Sequence, residues 1–253
     1  MLKSPHLVPL IILSVVIGGI TASVVLFIDW IPQQAAEQAE RVDGLMWFVV
    51  WASVAIFTLV GVVLVYCAWR FRAAPGDESD GPPVHGNTKL EIVWTLVPTV
   101  LLAVMAVWAY LVLSDNEALA QDRLVVNVTA QQFAWEFAYP GGQVGSGDLR
   151  VPVGRQVELQ MRSKDVIHDF YVVEFRVKED VVPGITTQVV FNPDRVGTYQ
   201  VICAELCGVG HAVMRARVIV MEPAAYEAWL ATATARLAAK AAPAPAATTP
   251  AQP

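Results

Sequence analysis

VICAELCGVGHAVM, residues 201–214, gathers Cys203, Cys207, His211 and Met214 into one short stretch, and the chain has only three cysteines in all. Thiolate, imidazole and thioether are the soft and borderline donors that hold copper. A disulfide between the two cysteines accounts for the sulfurs as well, provided the compartment is oxidising. Which reading applies depends on the side of a membrane on which the stretch lies.

Of the 253 residues, 55% are hydrophobic and 16% charged, and the mean hydropathy is +0.50. That balance is too apolar for an ordinary soluble protein and implies membrane segments joined to a soluble part. A net charge of -6 leaves no basic footprint for nucleic acid. So few cysteines in so long a chain do not make a disulfide scaffold.

Three long apolar runs occupy the first half: residues 7–28, 45–69 and 92–113, the last with Pro98 inside it. Each meets the roughly 20 residues needed to cross a bilayer. The first run follows Lys3 and reads as a secretory signal or as a retained helix. Its length and the lack of a close A-x-A favour the helix. Arg70, Arg72 and Lys89 fall between the second and third runs, so that connection is expected in the cytoplasm. The connection over residues 29–44 carries Asp29, Glu37, Glu40 and Asp43 against Arg41 alone, as an outer loop does. Everything beyond Leu113 is then extracytoplasmic. Of the four histidines, His6 and His85 lie at or inside the cytoplasmic boundary, which leaves His168 and His211 outside with the loop.

From about residue 123 to 221 the chain reads as short strands rich in Val, Thr and aromatics, such as RLVVNVTAQQFAWEFAY and MRARVIVM. PGGQVGSGD, residues 140–148, reads as a flexible turn region. About 100 residues suffice for a β-sandwich with its own core. The fold class expected is membrane-anchored α + β, with N-terminal transmembrane helices followed by a β-sandwich. The expected divisions are an N-terminal helix or signal and outer loop (1–43), a transmembrane hairpin (44–114), the sandwich (115–222), a C-terminal helix (223–240) and a disordered Pro/Ala/Thr tail (241–253). In MRARVIV, Met214, Ala216, Val218 and Val220 share the inward face, opposite Arg215 and Arg217.

Several sites fit two Cys, two His and one inward Met. Zinc takes two Cys and two His but has no use for a thioether. A single blue-copper centre needs one Cys, leaving the second surplus. Two thiolates in one loop are able to bridge two coppers, with one His on each and weaker axial ligands. The disulfide stays open, with the His and Met unexplained.

C-A-E-L-C-G-V-G-H-A-V-M resembles the dinuclear copper (CuA) loop of subunit II of the haem–copper cytochrome c oxidases, whose pattern is C-x-E-x-C-x3-H-x2-M. HDFYVVEFRVKEDVVPG, from His168, is similar to that family's His-led segment ending in K-x-D-x-x-P-G. HGNTKLEIVWTLVP, from His85, resembles the stretch that leads into the second helix of the family's hairpin. The likeness runs from about residue 43 to 222 and leaves out the first helix and the tail.

The resemblance implies a helical hairpin, preceded by one extra helix or signal, and a cupredoxin-like sandwich. Cys203 and Cys207 would bridge two copper ions, His168 and Met214 completing one, His211 and the Glu205 backbone carbonyl the other. The Glu205 side chain would reach a magnesium ion shared with the catalytic subunit. Glu91 matches an acidic residue at the mouth of a proton-uptake channel, though a solvated helix-end carboxylate is its plain alternative. The implied function is to accept electrons from cytochrome c or an equivalent donor and pass them to haem in the catalytic haem–copper subunit, for oxygen reduction and proton pumping. The implied setting is the plasma or inner membrane, multi-pass, with the copper domain outside and other oxidase subunits as partners. A copper-free structural subunit with a Cys203–Cys207 disulfide is the alternative. The sequence shows no C-x-x-C-H, so the fused haem domain of some relatives is not expected in it. One departure stands out: the family's Q-W-x-W run, whose first Trp receives electrons, is Gln132-Phe133-Ala134-Trp135 here. Phe133 takes that first place and Trp135 matches the second Trp, so these are the candidate electron-entry residues. The change to Phe implies a different donor or a different surface route; a plain strand face shared by Phe133, Trp135 and Phe137 is the alternative.

Overall fold

The computed structural model describes residues 6–81, 83, 85–139 and 143–241. The chain divides into a helical unit (Met1–Pro32 and Arg41–Asp115) and a strand-rich unit (Gln33–Glu40 and Asn116–Pro253).

The helical unit contains α1 (Leu7–Phe27), most of α2 (Glu37–Arg70) and nearly all of α3 (Thr88–Glu117). Among the described residues, these three helices are long and apolar enough to cross a membrane. Phe57 and Leu64 on α2, and Trp94 and Leu102 on α3, are all more than half exposed. Such faces are a liability in water and the normal surface in hydrocarbon. Within a bilayer, helices associate through close fit and hydroxyl contacts rather than a hydrophobic drive. The α1–α2 contact has that character: a Cβ on Gly18 would stand 3.2 Å from Thr58 Cγ2, and the Thr21 and Thr58 hydroxyls are 3.5 Å apart. Phe48 and Trp108 join α2 to α3 edge-on, with ring centroids 5.4 Å apart.

Two of these helices begin before their apolar runs. Glu37 and Glu40 occupy the first turn of α2, where carboxylates complement the helix dipole. At the start of α3, Asn87 Oδ1 accepts from the Leu90 N–H at 3.2 Å, and Glu91 Oε1 accepts from the Asn87 N–H at 3.3 Å. This reciprocal capping starts the helix in polar sequence.

The strand-rich unit holds β1 (Leu124–Gln131), β2 (Ala134–Tyr139), β3 (Gln143–Ser146), β4 (Asp148–Pro152), β5 (Val157–Ser163), β6 (His168–Val172), β7 (Val177–Val181), β8 (Thr187–Phe191), β9 (Gly197–Cys203) and β10 (Arg215–Met221). They form two five-stranded sheets, β3-β2-β1-β5-β8 and β4-β10-β9-β6-β7. Alternation builds the core between them: Val126 and Val128 of β1, Trp135 and Phe137 of β2, and Val218 and Val220 of β10 are buried. Trp135 and Phe137 therefore face inward, whereas Phe133 sits in the turn between β1 and β2. Part of the expected flexible turn is a strand. Residues 143–146 pair antiparallel with β2, placing Gly145 opposite Phe137, because β2 presents an edge whose backbone groups need partners. The expected tail, 241–253, lies beyond the described residues except for Ala241.

Two further segments close this unit. Residues 33–40 are stitched to it: Ala35 N–H donates to Glu174 O at 3.0 Å, Glu37 N–H donates to Asn192 O at 3.0 Å, and Asn192 N–H donates to Gln38 Oε1 at 2.9 Å. After β10, α4 (Pro223–Ala241) sets Trp229 against Tyr139 at 5.1 Å and under the Arg150 guanidinium at 5.3 Å.

The Tyr139 hydroxyl accepts from the Arg150 N–H at 2.6 Å and donates to the Arg150 carbonyl at 3.0 Å. Burial pushes the phenol's pKa upward, keeping the proton on it. Tyr139→Phe leaves both backbone groups unpaired and is expected to cost about 1–3 kcal/mol. Thermal unfolding followed by tryptophan fluorescence should show a lower midpoint; an unchanged midpoint would contradict this account.

Candidate metal centre

His168 opens β6 and Cys203 closes β9. The two strands pair antiparallel, with Phe170 opposite Cys203. His168 thus lies past the end of that ladder, its Nδ1 3.9 Å from Cys203 Sγ. The loop then folds back over the same spot. Cys207 Sγ is 3.8 Å from Cys203 Sγ, 3.7 Å from His211 Nδ1 and 3.8 Å from Met214 Sδ. The Glu205 carbonyl oxygen lies 3.2 Å from Cys203 Sγ. The donor atoms of His168, Cys203 and Cys207 fall within 4.8 Å of one another. Two sulfurs, two imidazole nitrogens, a thioether and a carbonyl thus converge. His168, Cys203, Cys207 and Met214 are buried, while His211 is partly exposed.

The donor chemistry fits copper. A sulfur–sulfur distance of 3.8 Å is far beyond the roughly 2.05 Å of a disulfide, and both cysteines are free thiols. Burial, with Cys203 adding to it, pushes the Cys207 thiol up to about 11. A bound metal cation would displace the thiol protons, since a coordinated thiol is deprotonated outright. Imidazole and thioether beside thiolates select a soft metal rather than a hard one.

Supporting groups hold the donors. His168 Nε2 bonds to Asp165 Oδ1 at 2.8 Å, which turns Nδ1 towards the sulfurs in the carboxylate–histidine arrangement common behind metals. Burial pulls Asp165 upward, but hydrogen bonds from Gln132, His168 and Val166 outweigh it and hold it at about 2. Gln132 Nε2 donates to the Cys207 carbonyl at 2.6 Å. The Phe133 ring packs directly on the loop, where a Cβ on Gly208 would come within 3.2 Å of it and one on Gly210 would overlap it. Gly208 also has φ +133°, a conformation that needs glycine. Trp135 is buried, edge-on to His168 at 6.2 Å and to Phe170 at 5.6 Å.

The sequence gives Gln132 only as the start of the aromatic run and Gly208 and Gly210 only as part of the loop, with no sign of their contacts. For Asp165, its spacing three residues before His168 is the local signal. Glu91 belongs to the helical unit, where it caps α3. Beside the centre, Asp169 is buried directly opposite Asp180. Burial drives it up to about 7, with Lys178 opposing and the Asp180 and Glu205 charges adding.

The family described as "Cytochrome C oxidase subunit II, transmembrane domain" matches residues 22–112, and "Cytochrome C oxidase subunit II, periplasmic domain" matches residues 107–222. Cytochrome c oxidase subunit 2 of Synechocystis sp. is 34% identical over 247 residues, covering 79% of this chain and 74% of that protein. Alternative cytochrome c oxidase subunit 2 of Bradyrhizobium diazoefficiens is 34% identical over 255 residues, covering 88% and 90%. The crystal structure of the periplasmic domain of subunit II of cytochrome oxidase of Bradyrhizobium japonicum is 28% identical, covers 47% of this chain and 99% of that one, and superimposes with a TM-score of 0.45. With the His and two Cys gathered in an extracytoplasmic β-domain behind apolar helices, the two family matches and the two sequence relatives make the chain a member of the cytochrome c oxidase subunit II family, a copper-binding subunit of the haem–copper oxidases.

Proposed function

We propose that this loop holds a dinuclear copper centre, which takes electrons from cytochrome c or an equivalent donor for delivery to haem in the catalytic subunit. The observation that carries the reading is the convergence of His168 Nδ1, both cysteine sulfurs, His211 Nδ1 and Met214 Sδ, each within 3.9 Å of a neighbouring donor. Cys203 and Cys207 would hold both coppers through their thiolates, with His168, Met214, His211 and the Glu205 carbonyl as the remaining ligands. Bound there, the pair of ions would supply reversible one-electron storage shared across the sulfurs.

The chain's own residues do the rest. Burial of His168, Cys203, Cys207 and Met214 keeps water from that side of the site, and the Asp165–His168 hydrogen bond fixes one imidazole so that a change of charge moves little. Phe133, against the loop glycines, and Trp135, against His168, are the aromatic groups through which electrons would arrive. The Glu205 side chain would offer a carboxylate to magnesium at the boundary with the catalytic subunit, oxygen being what that ion prefers. Glu91 would take up protons at the cytoplasmic end of α3, with residues 44–114 as the membrane hairpin and 115–222 as the copper domain. The copper-free disulfide reading is not favoured by the sulfur separation.

Cys203→Ser is expected to abolish the dinuclear spectrum in the purified oxidase, since a hydroxyl does not replace a bridging thiolate. Met214→Leu should retain copper and shift its potential, because an axial thioether tunes more than it holds. Two coppers with an unchanged spectrum in the Cys203→Ser protein would sink the assignment.

For Glu91, Gln keeps an oxygen for the Asn87 N–H and removes the ionisable group. Glu91→Gln should therefore slow oxygen turnover by about tenfold or more while leaving copper reduction fast. Normal turnover would leave Glu91 with its capping role alone.

For Phe133, Ala removes the ring and relieves the loop glycines. Stopped-flow reduction by the donor should slow several-fold with copper retained. An unaltered rate would mean that electrons arrive elsewhere.

A further inference from the structure

Gln132 is not among the converging donors, yet it is bonded to both segments that carry the ligands. Its side-chain Nε2 donates to the Cys207 carbonyl at 2.6 Å. Its backbone N–H donates to Asp165 Oδ2 at 2.7 Å. Asp165 spends its other oxygen, Oδ1, on His168 Nε2 at 2.8 Å. One residue of the β1–β2 turn thus ties the peptide that carries one cysteine to the carboxylate that orients one histidine.

The turn does not need that side chain. Gln131 and Ala134 already pair across it as the last rung of the β1–β2 ladder. Gln132 is exposed overall, and an exposed glutamine held in one rotamer forfeits side-chain entropy that water would otherwise leave it. The space it enters is also reserved for it: a Cβ on Gly208 would lie 2.8 Å from Gln132 Nε2. The loop thus keeps a glycine where the amide reaches its backbone.

We propose that Gln132 is a positioning residue of the metal centre, its amide setting the Cys207–His211 part of the ligand set relative to His168. This rests on the copper reading above. A bond to the Cys207 carbonyl restrains the peptide from which that sulfur hangs, and the adjoining Phe133 ring is fixed by the same turn. Without the amide, the Cys207 peptide loses that restraint while Asp165 and His168 stay in place, because the backbone bond to Asp165 does not involve the side chain. The ligand set would then hold copper less tightly. Loss of outer hydrogen-bond partners characteristically weakens metal binding about 10–100-fold.

The test uses the purified, copper-loaded oxidase complex. Gln132→Met keeps the length of the side chain and removes the donor; Gln132→Glu places an acceptor against the carbonyl. Gln131→Ala, on the same turn, is the control. Both Gln132 variants are expected to alter the copper EPR signal and near-infrared band and to lose copper to a chelator about tenfold faster or more. Haem content and tryptophan fluorescence should stay at the wild-type level, and Gln131→Ala should change none of these. Variants with the wild-type signal and release rate overturn the positioning role while leaving the copper reading intact. A wild-type complex without the dinuclear signal overturns both.

Discussion

Phe170 stands opposite Cys203 across β6 and β9, and the meeting of His168 with Cys203 depends on that register. From it follow His168 at the sulfur and the Ala204 N–H on the Asp169 carbonyl at 3.2 Å; the β9–β10 register, with Arg215 opposite Ile202, adds the Cys203 N–H on the Met214 carbonyl at 3.2 Å. A slip of one residue would turn each side chain to the opposite face of its strand. His168 would then leave the sulfurs and Phe170 would leave the core. The core and the site thus enforce the same register, so neither can relax without the other.

What was legible in the sequence was local. The loop concentrates four side-chain donors at fixed spacing, and alternation along β10 puts Met214 inside. The apolar runs forecast the helices by length alone. What was not legible depends on contacts between distant residues. Gln132 meets Asp165 across 33 residues and Cys207 across 75, and no periodicity announces such a bond. The starts of α2 and α3 were hidden because carboxylates and a capping asparagine, not apolar residues, begin them. β3 was hidden because Gly145 and the glycines flanking the strand read as a turn until β2 supplies an edge. Phe133 is visible in the sequence only as a departure from Trp; its ring against Gly208 and Gly210 is a fact of the fold.

The surroundings of the centre are more apolar than a surface usually is. Leu206, Val209 and Val213 are 78%, 104% and 76% exposed, and each lies within two residues of a proposed ligand. Several nearby charges are paired within the chain. Lys164 is 3.4 Å from Glu136, and Arg217 is 2.7 Å from Asp148. Exposed pairs of this kind add little stability. The three apolar side chains stand beside the exposed Glu205 and Arg215, and a hydrophobic shell around a metal governs its solvent access and potential.

The stitching of residues 33–40 into the strand-rich unit bears on how the chain is assembled in time. Gln38 and its partner Asn192 are 154 positions apart, so the early segment leaves the ribosome well before its partners exist. It waits through the synthesis of two membrane helices and most of the sandwich. Closure of so long a loop comes late and raises the contact order of the domain. Until then Ala35 and Ala36, both 1% exposed in the finished fold, have nothing to cover them. A soluble fragment cut after α3 never receives this segment at all. Such a fragment leaves the carbonyls of Glu174 and Asn192 to water, and what it reports about stability is that of an unfinished domain.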